Sequence, residues 1–211
     1  MDTEPSITVV AHPLIENALA RLRARETDAE TFQRYARVAA QVLVLEALRD
    51  LPLRAETIET PLEETRARVL DLDVVFVPVL RSGLAMLDAV RDFLPGSKVG
   101  FVGLERDEDT AIAHRYYSKL PGRLERSRIV ILDPMLATGG SALATLDLLS
   151  EHAARDVRLA CIVAAPEGVR AINTRFPHVS LWCCALDRGL NDHKFILPGL
   201  GDFGDRYYGT A

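Results

Sequence analysis

The chain has 211 residues, 48% of them hydrophobic, a formal net charge of −5 and a pI near 5.6. That is enough apolar material for one well-buried α/β domain, and the acidic balance disfavours nucleic-acid binding, which draws on a basic surface. No apolar run reaches the ~18 residues of a membrane span, and "MDTEPSITVV" lacks the regions of an export signal, so a soluble, cytoplasmic protein with no membrane partner is expected.

Along the chain, Thr27 and Glu30 fit a T-x-x-E capping box ahead of a long helix in which Phe32, Tyr35, Val38, Ala39, Val42, Leu43 and Leu45 recur at helical spacing. Short apolar runs then alternate with helical stretches. Val74 to Leu80 precedes a helix from about Gly83, and Val99 to Leu104 follows it. Arg128 to Leu132 precedes a helix opening near Ser141. Leu159 to Ala165 precedes one beginning near Gly168, and Val179 to Leu186 comes last. Near-continuous apolar strands separated by helices predict an α/β fold with a central, mostly parallel sheet covered on both faces. Ligands of such sheets bind beyond the carboxyl ends of the strands. Cys161, Cys183 and Cys184 have no metal-ligand spacing, and the five histidines are scattered, so buried reduced thiols and no protein-held metal are expected.

The strand ends carry the chemistry. In "DPMLATGGSA", Asp133 ends a strand, and Pro134, Met135, Leu136 and Ala137 lead to Thr138, Gly139, Gly140 and Ser141 at a helix start. Unpaired N–H groups and the helix dipole make such a start an anion site, and two glycines allow close approach. The turn by itself suits an ordinary cap equally well; the acid favours a ligand joining phosphate to sugar hydroxyls. No Lys follows the glycines, which excludes a Walker loop. Arg81 and Arg106 stand at two further strand ends and could clamp a second anion such as a diphosphate, with ion pairing to Glu105, Asp107, Glu108 and Asp109 as the alternative for Arg106. In the tail, "GLGDFG" fits the spacing of the dinucleotide fingerprint, but Pro198 breaks the lead-in and seven residues follow Gly204, so no βαβ unit surrounds it. A tight loop presenting backbone groups to a flat ligand is expected there, a structural turn being the alternative.

"DPMLATGGSA", "PVLRSGL" and "PGLGDFGDR", together with "HPLI", "ETP", "AAPEG" and "LNDH", closely resemble the uracil phosphoribosyltransferase family over nearly the whole chain. The resemblance implies a type I phosphoribosyltransferase fold over residues 1–211, with N-terminal helices and a C-terminal uracil-binding hood from about 187 to 211. It implies conversion of uracil and 5-phosphoribosyl 1-diphosphate (PRPP), accompanied by Mg2+, to UMP and diphosphate in pyrimidine salvage. By motif position, Asp133 would contact the ribose, Ala137 to Ser141 would cradle the 5′-phosphate, and Pro134, Met135 and Leu136 would belong to the same PRPP site. Arg81 and Arg106 would hold the diphosphate. Ile196, Gly201, Asp202 and Phe203 would read uracil largely through the backbone, with Asp202 also facing PRPP. Arg81, Arg106 and Asp202 are the catalytic candidates. The pattern departs from common members at Ser82, Glu105 and Phe203, the last of which could reshape the pocket.

Some family members are activated by GTP, and a homo-oligomer, dimer or tetramer, is expected. The segment Asp107 to Gly122, which joins two strands without a helical pattern, is the expected lid. The alternative function is a PRPP- or UMP-sensing RNA-binding regulator on the same fold, disfavoured by the acidic balance.

Overall fold

The computed structural model describes residues 6–106 and 113–210. A short strand, β1 (Thr8–Val9), leads to helices α1 (Pro13–Arg23) and α2 (Ala29–Ala47) and a hairpin of β2 (Leu53–Glu59) and β3 (Glu64–Leu70). Next come β4 (Asp73–Leu80), α3 (Gly83–Val90), β5 (Lys98–Val99), β6 (Phe101–Arg106) and β7 (Ala113–Lys119). They are followed by β8 (Ser127–Leu132), β9 (Met135–Leu136), α4 (Gly140–Glu151), β10 (Asp156–Ala164), α5 (Pro166–Arg175) and β11 (Ser180–Leu186). The tail holds β12 (Gly189–Leu190), β13 (Ile196–Leu197) and α6 (Phe203–Tyr208).

Among the described residues, nine strands form one sheet in the order β1–β11–β10–β8–β4–β6–β7, with β5 also on β4 and β9 also on β10. Its pairings are parallel except β6 with β7. The apolar runs explain the burial, because successive side chains point to opposite faces. Val74, Phe76, Val130, Leu132, Ala160 and Ile162 pack with α1, α2 and α3 on one side. Val75, Val77, Ile129, Ile131, Leu159 and Cys161 pack with α4 and α5 on the other. The mostly parallel, doubly covered sheet is thus present, and all three cysteines are buried and unpaired. Burial pushes the Cys183 thiol up to about 12, an inert setting.

Four local expectations are corrected. The α2 N-cap is Asp28, whose carboxylate accepts from the Thr31 N–H at 2.8 Å and the Thr31 hydroxyl at 3.0 Å. Thr27 instead donates to the Arg21 carbonyl at 2.7 Å, and Glu30 pairs with Arg34. Asp wins because its second oxygen also captures a side-chain donor, which Thr27 could not do. In the expected lid, residues 107–112 lie outside the described residues, but Ala113–Lys119 is a strand laddered on β6 from Phe101↔Lys119 to Arg106↔Ala113. Edge pairing to β6 supplies the order that its apolar content hides. The fifth helix begins at Pro166, whose ring suits the first helical position, rather than near Gly168. The tail contains the short helix α6, so it is not wholly loop.

At the opposite end of the sheet from the expected site, Arg128 of β8 and Arg158 of β10 are both nearly buried, with side-chain exposures of 9% and 8%. Asp50, just past α2, bridges them at 2.7 and 2.6 Å, and Asp156 takes the Arg128 Nε at 2.9 Å. This ties α2 to two central strands. A hydrogen bond from Arg158 holds the Asp50 carboxyl below its ordinary value. A lowered folded value stabilises the fold above the unfolded value of about 3.9 and is lost as pH falls through the folded one. Asp50 is itself 62% exposed, so the expected cost of Asp50→Asn at pH 7 is about 1–2 kcal/mol, below the 3–5 of a fully buried pair. Thermal melts at fixed protein concentration should show the variant below wild type at pH 7, with the gap closing towards pH ~2.

Candidate active site

Parallel pairing places the ends of β6, β4 and β8 side by side, with Val79↔Val102 and Pro78↔Leu132 in register. Arg106, Arg81 and Asp133 therefore leave one edge of the sheet in neighbouring rows. The Arg106 backbone closes β6, while its side chain lies outside the described residues. Arg81 is exposed just past β4, and its carbonyl accepts from the Tyr208 hydroxyl at 3.3 Å, which draws the tail to this strand end. Burial raises the Tyr208 hydroxyl above its ordinary value, and the Arg81 charge opposes that rise.

Asp133 is only 8% exposed, and its Oδ1 accepts from the Met135 N–H at 3.4 Å. The backbone beyond it is clamped to β10: Ile162 and Val163 donate to the Pro134 carbonyl at 3.0 and 3.1 Å, and Ala165 donates to that of Leu136 at 2.8 Å. The turn that follows is thus rigidly seated. Asp133, Met135, Leu136, Ala137, Thr138, Gly139, Gly140 and Ser141 line one recess. Gly139, at φ +87°, caps α4 in the left-handed region that side chains disfavour. The first helical bond is donated by Leu143 to Gly139, so the N–H groups of Gly140, Ser141 and Ala142 have no acceptor within the helix. With the dipole of α4 behind them, they have the geometry of an anion cradle.

The tail sits beside this cradle. β12 and β13 pair at Gly189↔Leu197 and Leu190↔Ile196, and Glu167 at the start of α5 accepts from the Leu190 N–H at 3.2 Å. The Ile196 side chain is buried, and its backbone pairs with Leu190. Gly201 and Asp202 are exposed at the turn, and the Asp202 carboxylate caps α6 by accepting from the Asp205 N–H at 2.9 Å.

Phe203 corrects an expectation. Its ring is 1% exposed, lying edge-on to Phe32 at 5.3 Å and stacked on Tyr207 at 5.6 Å. The side chain faces the core and does not shape a pocket; only its backbone can meet a base. Residues that motif reading passed over also converge here: Tyr208 on Arg81, and Arg23, Asp187 and Arg206 on the turn at Gly199 and Leu200. Asp187 could have been found, since it follows a strand at the binding edge, and Arg206 closes the motif "PGLGDFGDR"; no sequence signal separates Arg23 from surface arginines.

Among the described residues, no three His, Cys, Asp or Glu side chains cluster as a metal cage. The donors at hand, Asp133 and Asp202, suit Mg2+ carried on substrate phosphates with its waters, since that ion typically takes one or two carboxylates from the protein.

A parallel sheet with an acid-led phosphate turn at its edge defines a type I phosphoribosyltransferase. An adenine phosphoribosyltransferase from Trypanosoma brucei, solved with AMP, pyrophosphate and ribose 5-phosphate, shares the fold with a TM-score of 0.61 at 13% identity, covering 92% of this chain and 89% of that one. Within that class, the family model for uracil phosphoribosyltransferase matches residues 9–210, and the chain belongs to that family. A uracil phosphoribosyltransferase of Geobacillus kaustophilus is 43% identical over 205 residues, covering 97% of this chain and 98% of the relative. A solved protein from Aquifex aeolicus is 39% identical with a TM-score of 0.92, covering 97% and 99% of the two chains.

Two glycines separate the cradle's function from its packing. A Cβ at Gly140 would meet only the Thr138 hydroxyl, at 3.8 Å, whereas one at Gly168 would lie 2.5 Å from the Ala137 carbonyl. Gly140→Val should therefore leave the melting temperature within about 3 °C of wild type, as for a change well under 1–2 kcal/mol, yet abolish PRPP binding by filling the recess. Gly168→Ala should lower both. Calorimetric titration with PRPP alongside thermal melts distinguishes the two.

Proposed function

We propose that the chain transfers a 5-phosphoribosyl group from PRPP to uracil, releasing diphosphate and forming UMP in pyrimidine salvage. The observation that carries this reading is the seating of an acid-led anion cradle next to a backbone turn held in the hood at about 187–211. In the reaction the bond from ribose C1 to the diphosphate oxygen breaks with its electron pair, uracil N1 bonds to C1, and the N1 proton is lost. The transition state resembles a ribosyl cation, so the protein's work is to stabilise the leaving diphosphate and align the nitrogen. Asp133 orients the ribose, Ala137 to Ser141 hold the 5′-phosphate, with Pro134, Met135 and Leu136 completing the PRPP site, and Arg81 and Arg106 take the diphosphate. Ile196 and Gly201 to Phe203 present backbone groups to the base, with Asp202 turned also to PRPP. Mg2+ bound with PRPP would neutralise the leaving group, Asp133 and Asp202 being the carboxylates positioned to meet it.

We further propose a homo-oligomer, dimer or tetramer, of which the β2–β3 hairpin forms part of the contact. A two-stranded hairpin is marginal on its own, and this one exposes Leu53, Ile58, Leu62 and Leu70. Glu59, Glu63 and Glu64 sit at its tip, while Arg66 and Arg68 lie further along β3, so two copies side by side in opposite directions bring acids towards arginines; Arg54 is already paired with Glu56 and Asp71. Activation by GTP rests on the resemblance alone. A cytoplasmic location accords with three buried, unpaired thiols.

Turnover of labelled uracil with PRPP tests the reading. Replacing Arg81 by Ala should cost about 3 kcal/mol of transition-state stabilisation, roughly a hundredfold in kcat/KM, and weaken product inhibition by diphosphate in parallel. Base choice follows from fixed backbone donors and acceptors, which cannot reverse for cytosine. Two mismatched groups give a rejection of about a hundredfold or more, whereas 5-fluorouracil should react. Phe203→Ala should leave 5-fluorouracil use intact, narrow the preference for uracil over cytosine by loosening the turn, and lower stability by about 3–4 kcal/mol, as expected for a core ring, measured by parallel turnover assays and denaturant titration.

A further inference from the structure

Gly199, two residues before the base-reading turn, has both of its polar backbone groups held by side chains. Its N–H donates to the Asp187 Oδ2 at 2.9 Å, and its carbonyl accepts from the Arg23 Nη1 at 2.9 Å. The two side chains are joined to each other, Arg23 donating from Nη1 to Oδ2 at 2.9 Å and from Nη2 to Oδ1 at 2.6 Å. Asp187 is 5% exposed along its side chain and Arg23 25%, so this is a bidentate ion pair largely shielded from water. The Asp187 N–H is in turn fixed to the carbonyl of Ala164, the last residue of β10. Leu200 is held next: its carbonyl accepts from Arg206 at 2.7 Å, and Arg206 also grips the carbonyls of Leu22 and Ala24 at the end of α1.

We infer that Arg23 and Asp187 are a positioning pair that sets the backbone of Gly199, and through it the orientation of the uracil-reading groups at Gly201 to Phe203, relative to the phosphate cradle. The inference rests on the assignment of that turn to uracil. Its physical basis is that the pair spends its hydrogen bonds on two adjacent peptide groups, not on packing. A site that recognises a base with backbone groups has no side-chain rotamer to adjust, so its selectivity depends on whatever holds the peptide planes. The anchor at Ala164 adjoins the residue that holds Leu136, so cradle and base turn are referenced to the same point of the sheet. Neither Arg23 nor Asp187 lines the cradle, so they reach PRPP only through Asp202 of the turn, and PRPP binding should change far less than uracil turnover.

Asp187→Asn keeps the shape but turns an acceptor into a donor facing either Arg23 or the Gly199 N–H. Arg23→Gln removes the charge, and Arg23→Lys keeps it without the fork. For Asp187→Asn and Arg23→Gln, kcat/KM for uracil should fall by about 10–100-fold, the uracil-to-cytosine preference should narrow, and the PRPP dissociation constant from calorimetry should stay within about twofold. Arg23→Lys should recover part of the loss. A parallel fall in PRPP affinity, or unchanged uracil kinetics and selectivity in all three variants, would overturn the proposal. Hydrogen–deuterium exchange supplies a readout independent of turnover. Peptides covering 196–208 should exchange faster in the variants, and those covering 133–145 should not; uniform acceleration, or none, overturns the pair's role. Wild-type protein that does not use uracil at all would defeat the proposed function instead, and the exchange contrast would still judge whether the pair holds the turn.

Discussion

The carboxyl end of β10 is the point on which the site depends. Backbone bonds from Ile162, Val163 and Ala165 hold Pro134 and Leu136 of the phosphate turn, and the Ala164 carbonyl receives the Asp187 N–H that leads into the base-reading tail. The glycine turn and the tail are thus referenced to four consecutive residues, the last three of β10 and Ala165 just past it. A parallel sheet supplies this by construction. Its buried strands leave unpaired backbone groups only past their ends, and the chain must return across that edge in every crossover.

Anion binding by a chain of net charge −5 follows from locality. The cradle draws on peptide N–H groups and a helix dipole, which act within a turn's length and are insensitive to distant surface acids. Many of the arginines are committed elsewhere: Arg128 and Arg158 tie α2 to the sheet, and Arg23 and Arg206 tie α1 to the tail. Arg81 is an exposed cation at the edge itself, its carbonyl occupied by Tyr208.

What the sequence made legible was whatever depended on local pattern. The core strands were readable as apolar runs because both faces are covered, and the phosphate turn was readable because acid, glycines and hydroxyls fall within nine residues. The β2–β3 hairpin was not, since Arg, Glu and Thr break the apolar alternation on both of its faces. β10 begins at Asp156, three residues before its apolar run, because Asp156 and Arg158 are neutralised by partners far along the chain. Phe203 was misread for a related reason. Its neighbours in sequence belong to a ligand turn, yet its ring meets Phe32, which lies 171 positions away by number.

That contact carries a consequence for how the base site is built. Phe203 is both the last residue of the reading turn and a fully buried member of the α2-side core. Its side chain is gripped by Phe32 and Tyr207, so the turn is held from beneath by packing and from one side by the Arg23–Asp187 pair. Tight packing resists small displacements. Selectivity drawn from peptide groups needs that resistance, because a tilt of one peptide plane would offer cytosine the same donors and acceptors at little cost. In this chain the residues that stabilise the tail and those that make it selective are therefore largely the same ones, and core and specificity cannot vary independently.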